Sequence, residues 1–285
     1  MSKQFATLLG KRNLEFSITC LKSFLYHCQD TIDLTIYEDG TLDAEAAERL
    51  SQELPGCKIS FKKNRNEVVK EKLQNFPLSN KYREFSPLAL KLLDVALTEE
   101  GDHLLFLDSD IFFINDFTIG DLPALPAFMR DSRNAYSFGL AECKNFPSIY
   151  PRINTGFFYF PLKFFSLEMI EEVLERKILN KTIYQICWLE QTLWALLAGK
   201  NDQVLYFNDS KLVMAGEKIN LGQEAVGVHL VSTYRHQLNL VMQAKKELPR
   251  DITIELDFFS EKKHLSLKEF YWEKVSGGLL KRIRN

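Results

Sequence analysis

The chain has 285 residues, 46% hydrophobic and 26% charged, with 13 Gly and 9 Pro; this excludes collagenous, coiled-coil and disordered chains and leaves volume for a sizeable core. Lys+Arg 36 against Asp+Glu 38 gives a formal net charge of -2, so no nucleic-acid partner is expected, because counterion release needs a surplus of clustered Lys and Arg. The longest apolar runs, such as Phe157 to Leu162, fall far short of the ~20 residues that span a bilayer. Met1 to Arg12 lacks the apolar core of a signal peptide. Five scattered cysteines (Cys20, Cys28, Cys57, Cys143, Cys187) form no CxxC pair, which points to reduced thiols in a cytoplasmic protein.

The first third alternates β-like and helical patterns. Phe5 to Leu9 reads as a strand, Leu14 to Cys28 as a helix, Ile32 to Tyr37 as a strand, Leu42 to Leu54 as a helix and Lys58 to Phe61 as a strand. This βαβαβ order implies a parallel sheet covered by helices, with ligands at the carboxyl ends of its strands. That position makes Asp39 and Thr7 candidates for contact with a nucleotide base. Ser86-Pro87 reads as a helix start, Ser86 capping free amides and Pro87 losing no hydrogen bond. The helix runs to about Thr98 and carries Lys91 and Asp94 three apart, close enough to pair; Arg83, just before it, reads as a surface residue. His103 to Leu107 is wholly apolar and calls for cover on both faces. Further strands are read at Ile153 to Phe160, Val204 to Phe207 and Gly227 to Val231, and helices near Leu167 to Leu179 and Tyr184 to Ala198. From Phe258 onward the chain reads as helical and locally basic, ending in Lys281, Arg282 and Arg284. The 22 Phe, Phe112, Phe113, Phe157, Phe158 and Phe160 among them, read as the core of central strands.

Chemistry concentrates at Asp108-Ser109-Asp110, which follows the apolar strand. Residues i and i+2 of an extended segment project to one side, so two carboxylates leave the strand end together. Their repulsion is relieved by a divalent cation, and hard oxygen ligands with open positions suit Mg2+ or Mn2+ carrying phosphate oxygens. The plain alternative is a polar turn with two solvated aspartates. Glu190 is the only charged residue between Lys181 and Lys200, on a Trp/Leu-rich helix where a carboxylate is costly to bury unless paired or functional; its alternative is the helix's outer face. Gly156 inside an aromatic strand marks a close approach of backbone, with Asn154 beside it. His229, taken alone, reads as a core histidine at a strand end.

The run Leu-Phe-Leu-Asp-Ser-Asp-Ile-Phe-Phe, preceded by a helix carrying Lys91, resembles the Asp-x-Asp segment of the GT-A-fold glycosyltransferases. The order of pieces extends the resemblance over most of the chain: the βαβαβ half, the Lys helix, the Asp-x-Asp strand, Asn154-Thr155-Gly156-Phe-Phe, the pair Glu190-Gln191 and a late strand ending in His229. The resemblance implies an α/β fold with a Rossmann-like mixed sheet flanked by helices. It implies a catalytic domain over 1–257, with a nucleotide-binding half at 1–110 and an acceptor half at 111–257, followed by a helical extension at 258–285. It also implies that Asp110 binds the metal, that Asp108 meets donor ribose and metal with Ser109 between them, and that His229 is the third ligand. A nitrogen ligand favours Mn2+ over Mg2+. Glu190, Gln191 and Asn154 then fall beside the donor sugar and the acceptor. The commonest pattern follows the late His with Gly and Lys-Pro-Trp, where this chain has Ser232, Thr233, Tyr234 and Arg235. The resemblance implies that Arg235 takes the place of that Lys at the diphosphate and that Lys91 adds electrostatic stabilisation there, the alternative for Lys91 being the simple pair with Asp94.

The implied activity is transfer of a sugar from a nucleoside-diphosphate donor, a UDP-sugar as the first guess, to a glycan, lipid-linked or protein acceptor. The basic C-terminus offers a peripheral contact with an anionic membrane. Two alternatives stand beside it. A phosphohydrolase of the Asp-nucleophile type also places Asp-x-Asp after an apolar strand, though it wants Thr or Val two residues after the second Asp, where Phe112 stands. A non-catalytic nucleotide-sugar or glycan-binding protein on the same fold is the other, against which the presence of both Asp108 and Asp110 speaks mildly.

Overall fold

The computed structural model describes residues 2–138, 147–176, 188–219, 221–247 and 252–273. In chain order the elements are β1 (Lys3–Leu9), α1 (Leu14–His27), β2 (Ile32–Glu38), α2 (Ala44–Glu53), β3 (Lys58–Ser60), α3 (Lys62–Lys72), α4 (Pro77–Phe85), α5 (Pro87–Leu92), α6 (Asp94–Thr98), β4 (His103–Leu107), β5 (Ile111–Phe113), β6 (Phe117–Thr118) and β7 (Ala127–Arg130). There follow β8 (Ile153–Pro161), α7 (Leu167–Glu175), α8 (Leu189–Ala198), β9 (Val204–Phe207), β10 (Leu212–Met214), β11 (Gly227–His229), α9 (Leu238–Ala244), β12 (Ile254–Glu255) and β13 (Phe258–Glu261).

Eight strands form the main sheet in the order β13-β9-β7-β8-β4-β1-β2-β3. β4, β1, β2 and β3 run parallel, while β8 is antiparallel to both β4 and β7, so the sheet is mixed. The alternation of β4 explains its apolar run. Leu104 and Phe106 enter one core with Phe128, Phe158, Phe160 and Trp194, and Leu105 and Leu107 enter the other with Phe5, Phe113 and Phe157. Both faces are thus covered, and each fully buried Phe contributes about 1.5–3 kcal/mol. A smaller sheet, β10-β11-β5, leaves the main one directly after the Asp-x-Asp turn.

Two local expectations are corrected, and two further helices appear. The helix expected from Ser86 to Thr98 is broken at Leu93 into α5 and α6, and Ser86 makes no side-chain cap. The two helices α3 and α4, which precede it, left no signal that was read; only Val68 and Val69 are apolar in α3. The segment read as helical from Phe258 begins with a strand instead. β13 pairs antiparallel with β9, and the rings of Phe258 and Phe259 lie 4.8 and 5.5 Å from those of Phe207 and Tyr206. Aromatic cross-strand packing overrides the polar neighbours there, and among the described residues that follow, helix appears at 267–273. The basic tail, Lys281 to Arg284, lies outside the described residues, as do Cys143 and Cys187.

Candidate active site

β4 ends by delivering Asp108, whose N–H donates to the carbonyl of Gly156 at 2.6 Å, continuing the pairing with β8. The chain turns through Ser109 and Asp110 and leaves as β5. β11 pairs antiparallel with β5 so that His229 stands opposite Ile111, and the N–H of Leu230 donates to the carbonyl of Asp110 at 2.8 Å. That register brings a histidine from far along the chain to the aspartates. Its Nε2 lies 3.1 Å from Asp110 Oδ1 and 3.7 Å from Asp108 Oδ2. One donor atom from each of the three residues falls within 4.8 Å of the others.

Gly156 makes room for the ring. A Cβ there would lie 2.3 Å from Cε1 and 2.4 Å from Nδ1 of His229, so the close approach inferred for this glycine is that of an imidazole. His229 Nδ1 has no hydrogen-bond partner among the described residues. Two carboxylates and one imidazole nitrogen, Nε2, gathered this closely are a donor set that fits a divalent cation at this position.

Lys91 reaches the site from α5 with only 2% of its side chain exposed. Its Nζ donates to Asp108 Oδ1 at 2.9 Å and to the Thr155 carbonyl at 2.6 Å, and lies 3.7 Å from Glu190 Oε1 and 4.7 Å from the Phe106 ring centroid. The expected alternative, a pair with Asp94, is therefore not formed. Asp94 is held by Arg65 and by Arg83, which is buried rather than on the surface.

Glu190 sits on the inward face of α8, not its outer face, at 3% exposure. Its Oε2 accepts from Thr155 Oγ1 at 3.0 Å, and its Oε1 accepts no hydrogen bond. Burial pushes its carboxyl up to about 7, against the lowering effect of Lys91. Burial by itself would lower Lys91 and His229, but the neighbouring Asp108 and Asp110 respectively raise both. Asp108 is raised by burial despite Lys91. Asp110, though desolvated, is held below the ordinary carboxylate range by His229 and by Arg235, whose Nη2 donates to Oδ2 at 2.9 Å. Asn154 Nδ2 donates to Asp131 Oδ2 at 3.3 Å and to Gln191 Oε1 at 3.4 Å, and Gln191 Nε2 donates to the Ala135 carbonyl at 3.0 Å.

These residues line one cleft of about 480 Å³: Lys91, Asp108, Asp110, Asn154, Glu190, Gln191, His229 and Arg235. Four sequence candidates lie outside its lining. Gly156 acts through its backbone. Ser109 accepts from Ser17 Oγ at 3.2 Å beneath the turn. Thr7 is fully buried in β1, with no surface to offer a base, and Asp39 accepts from the N–H and hydroxyl of Thr41 in its own loop. Asp131, Arg133 and Trp188 were missed and do line the cleft; the Arg133 guanidinium lies 5.1 Å over the Trp188 ring. Nothing local marks Asp131 and Arg133, because they sit in the loop after β7.

No family model matches the chain, and no curated relative does by sequence. Among solved structures, the apo form of WbbM, a bifunctional glycosyltransferase, superposes with a TM-score of 0.51 at 13% identity, over 81% of this chain and 46% of WbbM. This chain therefore spans about half of that protein. An active-site mutant of LgtC superposes with a TM-score of 0.50 at 13% identity, over 85% of this chain and 96% of LgtC. The fold is that of the GT-A glycosyltransferases, with the Asp-x-Asp pair and His229 gathered at one cleft. Among the described residues no helix is long and apolar enough to cross a membrane.

Proposed function

We propose that this protein is a metal-dependent glycosyltransferase that moves a hexosyl group from a nucleoside-diphosphate sugar, a UDP-sugar as the first candidate, to a glycan, lipid-linked or protein acceptor. The observation that carries the reading is the convergence of Asp108, Asp110 and His229 on the floor of a cleft that also holds Glu190, Asn154 and Gln191. When bound there, Mn2+ or Mg2+ supplies Lewis-acid stabilisation of the diphosphate leaving group. Asp108, Asp110 and His229 are the residues that hold it. Lys91 orients Asp108 from beneath and keeps the cluster's charge balanced. Glu190 takes the acceptor hydroxyl's proton: its Oε1 accepts no hydrogen bond and lies 3.7 Å from Lys91, and its raised pKa suits a base working near neutrality. Asn154 and Gln191, tied to each other and to Asp131, form the wall where donor sugar and acceptor meet, and Arg133 with Trp188 extends that wall.

His229 reaching both aspartates favours this reading over the phosphohydrolase, whose nucleophilic aspartate needs no such partner. Among the described residues, Cys20, Cys28 and Cys57 are free thiols, which supports a reducing, cytoplasmic setting. A catalytic domain that runs through β13, past the boundary expected at 257, and a peripheral membrane contact by the basic tail belong to the same proposal. A thermal-shift panel of UDP-, GDP-, CMP- and dTDP-sugars with and without Mn2+ tests it, since a ligand at 100 times its Kd stabilises by about 2.7 kcal/mol. We expect a shift for one nucleotide class that requires Mn2+. Asp110→Ala should remove that shift and lower transfer or donor hydrolysis by at least about a hundredfold. Full activity in Asp110→Ala would overturn the assignment.

A further inference from the structure

We propose that Arg235 is the resident counter-ion of Asp110, that a divalent cation entering the site displaces it, and that the displaced guanidinium then binds the donor's diphosphate. The inference rests on the metal site proposed above and adds an order of events to it. Three side chains offset the two aspartates, and they differ in how freely they can leave. Lys91 is 2% exposed and gripped by Asp108 and by the carbonyl and hydroxyl of Thr155. His229 is 3% exposed and wedged against Gly156. Arg235 is 37% exposed, with Nη2 at 2.9 Å and Nε at 3.3 Å from the single oxygen Oδ2 of Asp110, and its guanidinium rests 5.7 Å from the Phe16 ring.

His229 takes Oδ1 of Asp110 and Arg235 takes Oδ2, so both oxygens of this carboxylate are occupied. A dication placed on that carboxylate meets the guanidinium's like charge at close range. Of the three partners, only Arg235 has a solvent-exposed, flexible stem that can swing aside without crossing the core. It lines the cleft, where a diphosphate offers it a bidentate partner of the geometry guanidinium prefers. Metal and diphosphate therefore strengthen each other's binding through this one side chain, and the coupling is reciprocal.

Isothermal titration of the full chain with MnCl2 alone, and then of UDP at saturating Mn2+, separates these effects. Arg235→Gln should tighten Mn2+ binding by about fivefold and weaken UDP by about tenfold, within the range of site-to-site couplings. A side chain with a merely structural role would weaken both. Arg235→Lys keeps the charge and should hold Mn2+ affinity near wild type while recovering part of the UDP binding. Mn2+ affinity unchanged or weakened in Arg235→Gln, with wild type binding Mn2+ normally, overturns this inference alone. Wild-type protein that binds Mn2+ neither by itself nor with UDP overturns the metal reading beneath it as well.

Discussion

Two buried ionic clusters lie near the sheet and differ in one respect. In the first, Asp94 is fully buried and receives Nε of Arg65 at 2.8 Å, with Nε and Nη2 of Arg83 at 2.5 and 2.8 Å. The spare donors of Arg65 go to the carbonyls of Ser60 and Glu38, and Arg83 also reaches Asn66. None of the buried side-chain atoms of this trio lacks a partner, and the trio ties α3 and α4 to α6. The second cluster holds Asp108, Asp110 and Glu190 against Lys91, Arg235 and His229. Among the described residues it leaves Glu190 Oε1 and His229 Nδ1 without a hydrogen bond, and it opens onto the cleft. Buried charge is architecture when every atom is answered. It becomes a candidate site where buried polar atoms are left without a hydrogen bond beside open space.

The largest test of that contrast is Asp94→Asn, which strands two buried guanidinium groups. It should cost about 3–5 kcal/mol in urea unfolding; a loss under about 1 kcal/mol would mean that the first cluster is no more structural than a surface pair. Gly156→Ala strikes the second cluster. The added Cβ must push the His229 ring, and a misplacement near 1 Å costs about a hundredfold in rate, with a stability loss of about 1–3 kcal/mol. Normal transfer by Gly156→Ala would show that His229 need not sit where the glycine lets it.

The smallest effect is the most diagnostic. Burial raises the Glu190 carboxyl from its ordinary 4.5 to about 7. Below pH 4.5 folded and unfolded chains both hold the proton, so its contribution to stability is complete there; it is lost as pH rises through about 7, where the folded state must ionise a buried acid. Glu190→Gln stays neutral. It should match wild type at pH 4 and exceed it by on the order of 1 kcal/mol at pH 8, while transfer falls and the activity limb rising through pH about 7 flattens. Equal stability at both pH values would make Glu190 as well satisfied as Asp94 and end the contrast.

The parallel βαβαβ half was legible because each strand and helix carries its own periodicity, and the Asp-x-Asp pair because it directly follows a strand apolar on both faces. Lys91 illustrates the limit. Its spacing to Asp94 was a sound helical pair on paper, yet α5 breaks at Leu93 and Arg65 from the unread helix α3 claims Asp94 instead. Arg83 was misread for the same reason, since its partner is visible only once α4 and α6 meet. Phe258 and Phe259 failed as helix because their partners, Phe207 and Tyr206, lie some fifty residues earlier. Asp131 and Arg133 carry no motif; only the bend after β7 turns them into the cleft.

Local order alone settled the strands and helices of the βαβαβ half, and that two carboxylates leave β4 together, because period-two and 3.6-residue patterns act between near neighbours. The folded chain decided which charge answers which. The pairing of β11 with β5 brings His229 to Asp110 across 119 residues, and the space for its ring comes from an absent side chain at Gly156. Such partnerships depend on register between distant strands, and no window along the chain contains both members.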